Sequence, residues 1–424
     1  MMLLYKGGQI ANEDTPKLEK ADVLVDEKGR ISRVGANLKA AGKAEIIDCT
    51  ACVLMPAMFD VHVHAREPGQ EYKENIATCS EAAINGGVTG IVLMPNTNPA
   101  IDSGSLVRAV MDRARQSSRI PIWQTGCVTK GRAGEELAGI AGMADAGVPM
   151  LTDDGDPVPC PNLLKRAMDY ANDFGLPIAS HCEVKELSAH GSMNEGSVSY
   201  GLGLHGVPAI SEEICLDRDI RIAQYTGGHV HIQHVTSARG MLTIRRAKED
   251  GIRVTCEVSP HHLIFNEEDI GDYDTNYKMN PPLRTAEDNE ALLQGLIDGV
   301  FDVIATDHAP HSEFEKSNDF GNAPYGITGL ETAVLSLYNR FIQRGRFGWD
   351  ILVKRYSAEP RRLLGLDTVP IQEGCPAEFI VVDLEGETTF SKEWMRSKSS
   401  NTPFIDQTIA GKIRSVVKGV DCLK

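Results

Sequence analysis

The residues best suited to chemistry are two alternating histidines in Asp60-Val61-His62-Val63-His64. They follow the apolar run Val53–Phe59, which reads as a β-strand. Residues i and i+2 of a strand point to the same side, so Asp60, His62 and His64 are expected to share one face. Two neutral imidazoles projecting together from a strand end offer half of the donor set that Zn²⁺ or a similar ion takes. The other half comes from four later segments: Thr152-Asp153-Asp154-Gly155, Ser180-His181-Cys182-Glu183, His234-Val235-Thr236-Ser237 and Thr306-Asp307-His308-Ala309-Pro310-His311. Four histidines and two acids exceed what one catalytic ion needs. They suit two ions about 3.5–4 Å apart, with one carboxylate bridging.

Such residues meet only if a fold delivers them to one place. Strand-like segments recur at Val53–Phe59, Thr89–Met94, Ile120–Thr125, Val148–Thr152, Pro177–Ser180, Val230–His234, Arg253–Glu257 and Val303–Thr306. Helical stretches such as Leu106–Gln116, Asn162–Phe174 and Glu287–Gly299 separate them. Eight parallel-type strands alternating with helices predict an α/β fold, a (β/α)₈ TIM barrel over residues 53–366. Active sites of that fold sit at the C-terminal strand ends, where all the segments above terminate. Residues 1–52 and 367–424 read instead as short strands and turns, predicting one small β-domain built from both chain ends. Ala21–Val25 and Ile31–Val34 flank a hairpin signal, and Phe379–Asp383 and Ile413–Val417 are further strands.

Composition narrows the partners. The chain has 424 residues, 42% hydrophobic and 24% charged, with a formal net charge of -16. That charge argues against nucleic acid and against anionic membranes, while leaving room for a local basic pocket. The longest apolar runs are too short to span a bilayer, and Met1–Gly8 lacks the apolar core of a signal peptide, so a cytoplasmic location is expected. Ten cysteines, most in apolar segments, read as buried free thiols, and Cys49-Thr50-Ala51-Cys52 as structural.

Asp60-Val-His62-Val-His64-Ala-Arg66-Glu67-Pro68-Gly69, Met94-Pro-Asn96-Thr-Asn98-Pro99, Asn280-Pro-Pro-Leu-Arg284 and Ala305-Thr-Asp307-His-Ala-Pro-His311 resemble the dihydroorotases, longer bacterial type, of the amidohydrolase superfamily. The resemblance covers essentially the whole chain. It implies zinc-dependent, reversible closure of N-carbamoyl-L-aspartate to L-dihydroorotate, the third step of pyrimidine biosynthesis. It implies that His62, His64 and Asp307 hold one zinc, that His181 and His234 hold a second, and that Asp154 bridges them, with Asp153 the rival for that role. It further implies Asp307 as the catalytic proton carrier. Substrate contacts fall on His64, Arg66, Asn96, Asn280, His311, Tyr325 and Gly326. A forked guanidinium such as Arg66 is the natural anchor for a carboxylated ring. Related cyclic amidases (dihydropyrimidinases, hydantoinases, allantoinases) are the alternative, as is a scaffold partner of aspartate carbamoyltransferase. Association with that transferase and a homodimer are the partner expectations.

Several residues receive plainer readings. His229 and His231 alternate within the sixth strand as barrel-lining groups. His261 and His262 follow the seventh strand, with a packing or supporting role expected. Lys130 is a candidate carboxylated lysine made unnecessary by the Asp-Asp turn. The glycine-rich stretch Gly321–Gly329 reads as a lid or a surface loop. Ala57 stands where the family pattern has glycine, which should alter only a turn.

Overall fold

The computed structural model describes residues 1–39 and 43–424. Eight short strands form the barrel: β1 (Met58–Val63), β2 (Val88–Leu93), β3 (Ile122–Gln124), β4 (Leu151–Thr152), β5 (Ile178–Ser180), β6 (Val230–Ile232), β7 (Val254–Val258) and β8 (Val303–Ile304). β1 to β3 pair in parallel, as do β4 to β8. Two parallel bridges, Gly126 with Leu151 and Val63 with His308, join the two groups and close the ring. Helices such as Ile76–Asn85, Gly104–Ser117, Pro161–Asn172 and Ala286–Asp298 return the chain outside the ring. The last ends where Gly299 adopts φ 85°, a left-handed turn that glycine takes without steric cost. The barrel core is a continuous cluster, mostly Val, Ile, Leu, Met and Ala, as helices packed on the outside of a parallel sheet require.

Both chain ends build one eight-stranded sheet. Its strands run Asp421–Cys422, Thr408–Lys418, Glu378–Thr389, Cys52–Pro56, Met2–Ile10, Glu19–Val25 and Ile31–Gly35, with Ala44–Asp48 also on Met2–Ile10. The expected hairpin of Ala21–Val25 and Ile31–Val34 lies within it, paired antiparallel.

The run Val53–Phe59 departs from the single barrel strand expected of it. Cys52–Pro56 pairs antiparallel with Glu378–Thr389 and parallel with Met2–Ile10, inside the end sheet. The barrel begins only at Met58, so the boundary expected at residue 53 moves past Pro56. The reason is that Cys52–Pro56 walls off two cores. Val53 and Met55 pack in the barrel cluster, whereas Cys52 and Leu54 pack with Tyr5 and Phe379. A strand covered on both faces is apolar throughout, and its sequence runs unbroken into the next buried strand. The half-buried Glu378 carboxylate ties sheet to barrel, accepting from Arg361 at 2.8 Å and Thr89 at 2.6 Å. Ala57 stays out of the left-handed region, and its carbonyl accepts from Ser357 at 2.6 Å. All ten cysteines are free, and seven are buried as expected, whereas Cys160 and Cys422 are exposed and Cys375 is half-buried.

Candidate active site

Every segment expected to carry chemistry emerges from the same rim of the barrel. His62 and His64 come from the end of β1, Asn96 from beyond β2, Asp154 from beyond β4, and His181 and His234 from beyond β5 and β6. Asp307 follows β8. Three of these side chains form one tight group, His62 with His64 and Asp307, and His62 with Asp154 and His234 forms another. His62 Nε2 lies 3.3 Å from Asp154 Oδ1 and 3.4 Å from Asp307 Oδ1. His64 Nε2 lies 2.9 Å from Asp307 Oδ1 and 3.4 Å from Asp154 Oδ2. His181 Nδ1 is 3.0 Å from His234 Nε2 and 4.0 Å from Asp154 Oδ1. Asp154 is therefore central to all four imidazoles.

Asp153 points elsewhere. Its carboxylate accepts from the Val128 and Thr129 amides at 2.9 and 3.1 Å and from the Thr129 hydroxyl. Asp60 also departs from expectation. A register shift in the β1–β2 pairing between Asp60 and Val63 breaks the alternation. Its buried carboxylate accepts from the Tyr356 hydroxyl at 2.9 Å and the Thr306 amide at 3.1 Å, pinning β1 to the segment that carries Asp307. Burial pushes the Asp60 carboxyl up to about 6.

The electrostatics of the cluster suit a cation. Burial opposes charge on Asp154, yet the facing His62, His234 and His64 imidazoles hold it well below the usual carboxylate range. Asp307 is lowered in the same way, burial being outweighed by His62, His64 and His234. Burial likewise opposes charge on His62, but Glu257, Asp307 and Asp154 raise its affinity for a proton well above normal. His62 Nε2 is nevertheless a buried atom with no hydrogen-bond partner among the described residues. A buried ring nitrogen without a partner, aimed at two carboxylates, is a donor set that a divalent cation satisfies. The back nitrogens of three rings are held: His62 Nδ1 by Glu257 at 2.5 Å, His64 Nδ1 by Asn96 at 2.9 Å, and His181 Nε2 by Glu183 at 3.3 Å. Such contacts fix ring orientation and leave the other nitrogen free for a metal.

Beside the cluster opens a cavity of about 310 Å³ lined by His64, Arg66, Asn280, His311 and Tyr325 among others. Arg66 is buried, donating through Nε to the Pro310 carbonyl at 3.1 Å and facing His311 Nε2 through Nη2 at 3.3 Å. Among the described residues no carboxylate reaches ion-pairing distance of its guanidinium. Burial lowers Arg66 from 12.5 to about 10. Burial, then the charges of Arg66, Lys73 and Lys316, keep His311 neutral. One buried arginine without a carboxylate partner among the described residues thus faces the cavity in a chain of net charge -16.

The remaining expected contacts take definite places. Asn280 Nδ2 lies 3.3 Å from His181 Nε2. Asn96 turns toward His64 and the Asp154 carboxylate. Gly326 adopts φ 152°, and a Cβ there would lie 2.5 Å from the Ala309 carbonyl and 2.8 Å from the His311 ring. Lys130, by contrast, is exposed and pairs with Glu136 at 3.8 Å, away from the cluster. The glycine-rich stretch is anchored from below: Lys316 Nζ donates to the Pro324 and Gly326 carbonyls at 3.0 and 3.1 Å, and Asn401 donates to Gly326 at 2.9 Å. Asn401 also accepts from the His311 amide at 2.9 Å, so the C-terminal segment braces the pocket wall. Arg66, His234 and Asp307 all have positive φ (58°, 30° and 45°), a strained backbone of the kind that gathers at functional sites.

Residues 51–239 match the family model described as dihydro-orotase-like. A dihydroorotase of Pelotomaculum thermopropionicum is 41% identical over 97% of this chain and 96% of its own length. One of Caldicellulosiruptor saccharolyticus is 41% identical over 100% of this chain and 98% of its own. The chain belongs to the dihydroorotase family. Its fold is that of a solved L-hydantoinase from Arthrobacter aurescens, with a TM-score of 0.86, 22% identity, and coverage of 99% of this chain and 95% of that one. Within this dihydroorotase-family chain, Glu257, Glu183, Lys73 and Asn401 are site-supporting residues that sequence reasoning missed. Glu257 alone left a usable signal: a lone acid inside the apolar strand Val254–Val258. Among the described residues no helix is long and apolar enough to cross a membrane.

Proposed function

We propose that this chain interconverts N-carbamoyl-L-aspartate and L-dihydroorotate, opening or closing a cyclic amide, as a zinc enzyme with two ions per subunit. The observation that carries this reading is the buried Arg66, unpaired and facing the same cavity as the His/Asp cluster. A cyclic amidase needs the cluster; only a substrate with a carboxylate on the ring needs Arg66 as well. His62, His64 and Asp307 would hold one ion, His181 and His234 the other, with Asp154 between them. Such ions, when bound, acidify a water and polarise the amide carbonyl.

The protein's own groups do the rest. Arg66 grips the ring carboxylate through its fork, and neutral His311 beside it accepts rather than repels an N–H donor. Asn280 and Tyr325 close the cavity around the ring. In ring opening, Asp307 takes the proton of the attacking water and returns it to the departing ring nitrogen as the C–N bond breaks. In closure the carbamoyl nitrogen loses a proton to Asp307 and attacks the protonated side-chain carboxyl, and Asp307 returns that proton to the departing hydroxyl, which leaves as water. The exposed position of Lys130 and the central Asp154 speak against a lysine-bridged relative acting on uncharged rings. Stripping metal with a chelator and restoring it with zinc tests the reading. L-dihydroorotate hydrolysis should vanish and return; undiminished turnover in metal-free protein would overturn it.

A further inference from the structure

The barrel lumen holds polar groups that the reaction above does not use. A TIM-barrel interior is ordinarily filled by layers of branched apolar side chains. Here His229, His231, Thr255 and Glu257 stand between β6 and β7 in a single hydrogen-bonded file. His229 Nε2 is 2.9 Å from Thr255 Oγ1, which is 2.9 Å from His231 Nδ1. His231 Nε2 is 3.2 Å from Glu257 Oε2, and Glu257 Oε1 is 2.5 Å from His62 Nδ1. Glu257 Oε1 also accepts from the His234 amide at 3.1 Å. His231 and Glu257 are almost wholly buried, and His229 is half-buried at the barrel end opposite the cavity.

Metal ligation requires neutral imidazoles, and in that form, with Glu257 ionised, the donors can be arranged in one way only. A carboxylate accepts and never donates, so His62 Nδ1 and His231 Nε2 both carry hydrogen. His231 Nδ1 is then bare and accepts from the Thr255 hydroxyl, whose oxygen accepts from His229. The consequence lies at the upper end: His62 must present a bare Nε2, the buried atom without a partner that faces Asp154 and Asp307. The same carboxylate fixes the amide of His234, whose φ of 30° is unfavourable for a side chain other than glycine. One buried acid therefore touches a ligand from each half of the cluster. Buried polar groups are costly unless satisfied, and an apolar layer would stabilise the lumen at least as well.

We infer that Glu257, braced by His231 and Thr255, is a positioning residue that fixes the tautomer of His62 and the backbone of His234, and so sets how tightly the centre holds metal. This rests on the metal-centre reading above. The test uses the full-length protein and zinc, with affinity measured by chelator competition for wild type, Glu257→Gln and Thr255→Val. Glutamine matches glutamate in shape but turns an N–H donor toward one of three donors. Glu257→Gln should lose about 10–100-fold in zinc affinity, while metal-free Tm stays within a few degrees. The visible absorption bands of the cobalt-loaded variant should shift, because the donor strength of His62 changes. Thr255→Val, the milder perturbation should Glu257→Gln fail to fold, should lose severalfold. Zinc affinity and cobalt spectra equal to wild type in both variants would overturn the inference. A wild type that binds no zinc would instead overturn the metal-centre reading itself.

Discussion

Replacing Arg66 by methionine should separate activity from stability. In the folded protein burial lowers the guanidinium from 12.5 to about 10. At 1.36 kcal/mol per unit this corresponds to about 3 kcal/mol by which the fold disfavours the charged form. The sign follows from the direction: a base whose folded pKa is depressed is carried at a cost wherever it is charged, which includes neutral pH. No carboxylate ion pair offsets that cost among the described residues. Arg66→Met therefore removes a cost, and Tm should hold or rise. Activity should move the other way. A fork on a substrate carboxylate makes two charge-assisted hydrogen bonds, each about 1.5–3 kcal/mol. Losing them should lower kcat/KM by about 3–6 kcal/mol, or about 10²–10⁴-fold. Arg66→Lys keeps charge without the fork and should fall between. The assay pairs steady-state hydrolysis of L-dihydroorotate with thermal unfolding. A variant within about threefold of wild type in kcat/KM would refute the reasoning, as would activity lost together with a falling Tm.

Asp307→Asn should lower kcat by about 10³-fold or more with Tm little changed, since proton transfer alone contributes about 10²–10⁴; substantial residual turnover would remove its role as proton carrier. Asp154→Asn should lose bound zinc, measured by elemental analysis. Asp153→Asn should keep zinc yet unfold at lower temperature, because the Thr129 hydroxyl loses its Oδ2 acceptor while the Val128 and Thr129 amides keep Oδ1. Burial pushes the Glu378 carboxyl up, but Arg361 and Lys418 outweigh it and the group is lowered. Its stabilisation is thus present above the ordinary glutamate pKa and lost as pH falls through the folded value. Glu378→Gln should cost about 3 kcal/mol at pH 7, and the gap from wild type in denaturant unfolding should close in acid.

The rim was legible because metal-binding side chains sit just past apolar strand cores, a pattern that periodicity alone exposes. His62, His64, His181, His234 and Asp307 could be set on one rim without coordinates. The Asp153-Asp154 tie could not be broken that way, since the deciding donors, Val128 and Thr129, come from another loop. Asp60 looked like a third member of the histidine face because strand alternation takes no account of a register shift. The run Val53–Phe59 hid a boundary because both of its strands are covered on both faces. Asn401 braces His311 and Gly326 from the far end of the chain, and no local pattern marks it. His231 carried no signal of its partnership with Glu257, which depends on how two neighbouring strands align.

The central claim is that a metal cluster and an unpaired buried arginine act on one substrate. The most direct measurement is the ratio of kcat/KM for L-dihydroorotate to that for dihydrouracil, the same ring without its carboxylate, on zinc-loaded wild type. Two charge-assisted hydrogen bonds predict a ratio of at least about 10² in favour of dihydroorotate. A ratio near one, or a preference for dihydrouracil, would contradict the account.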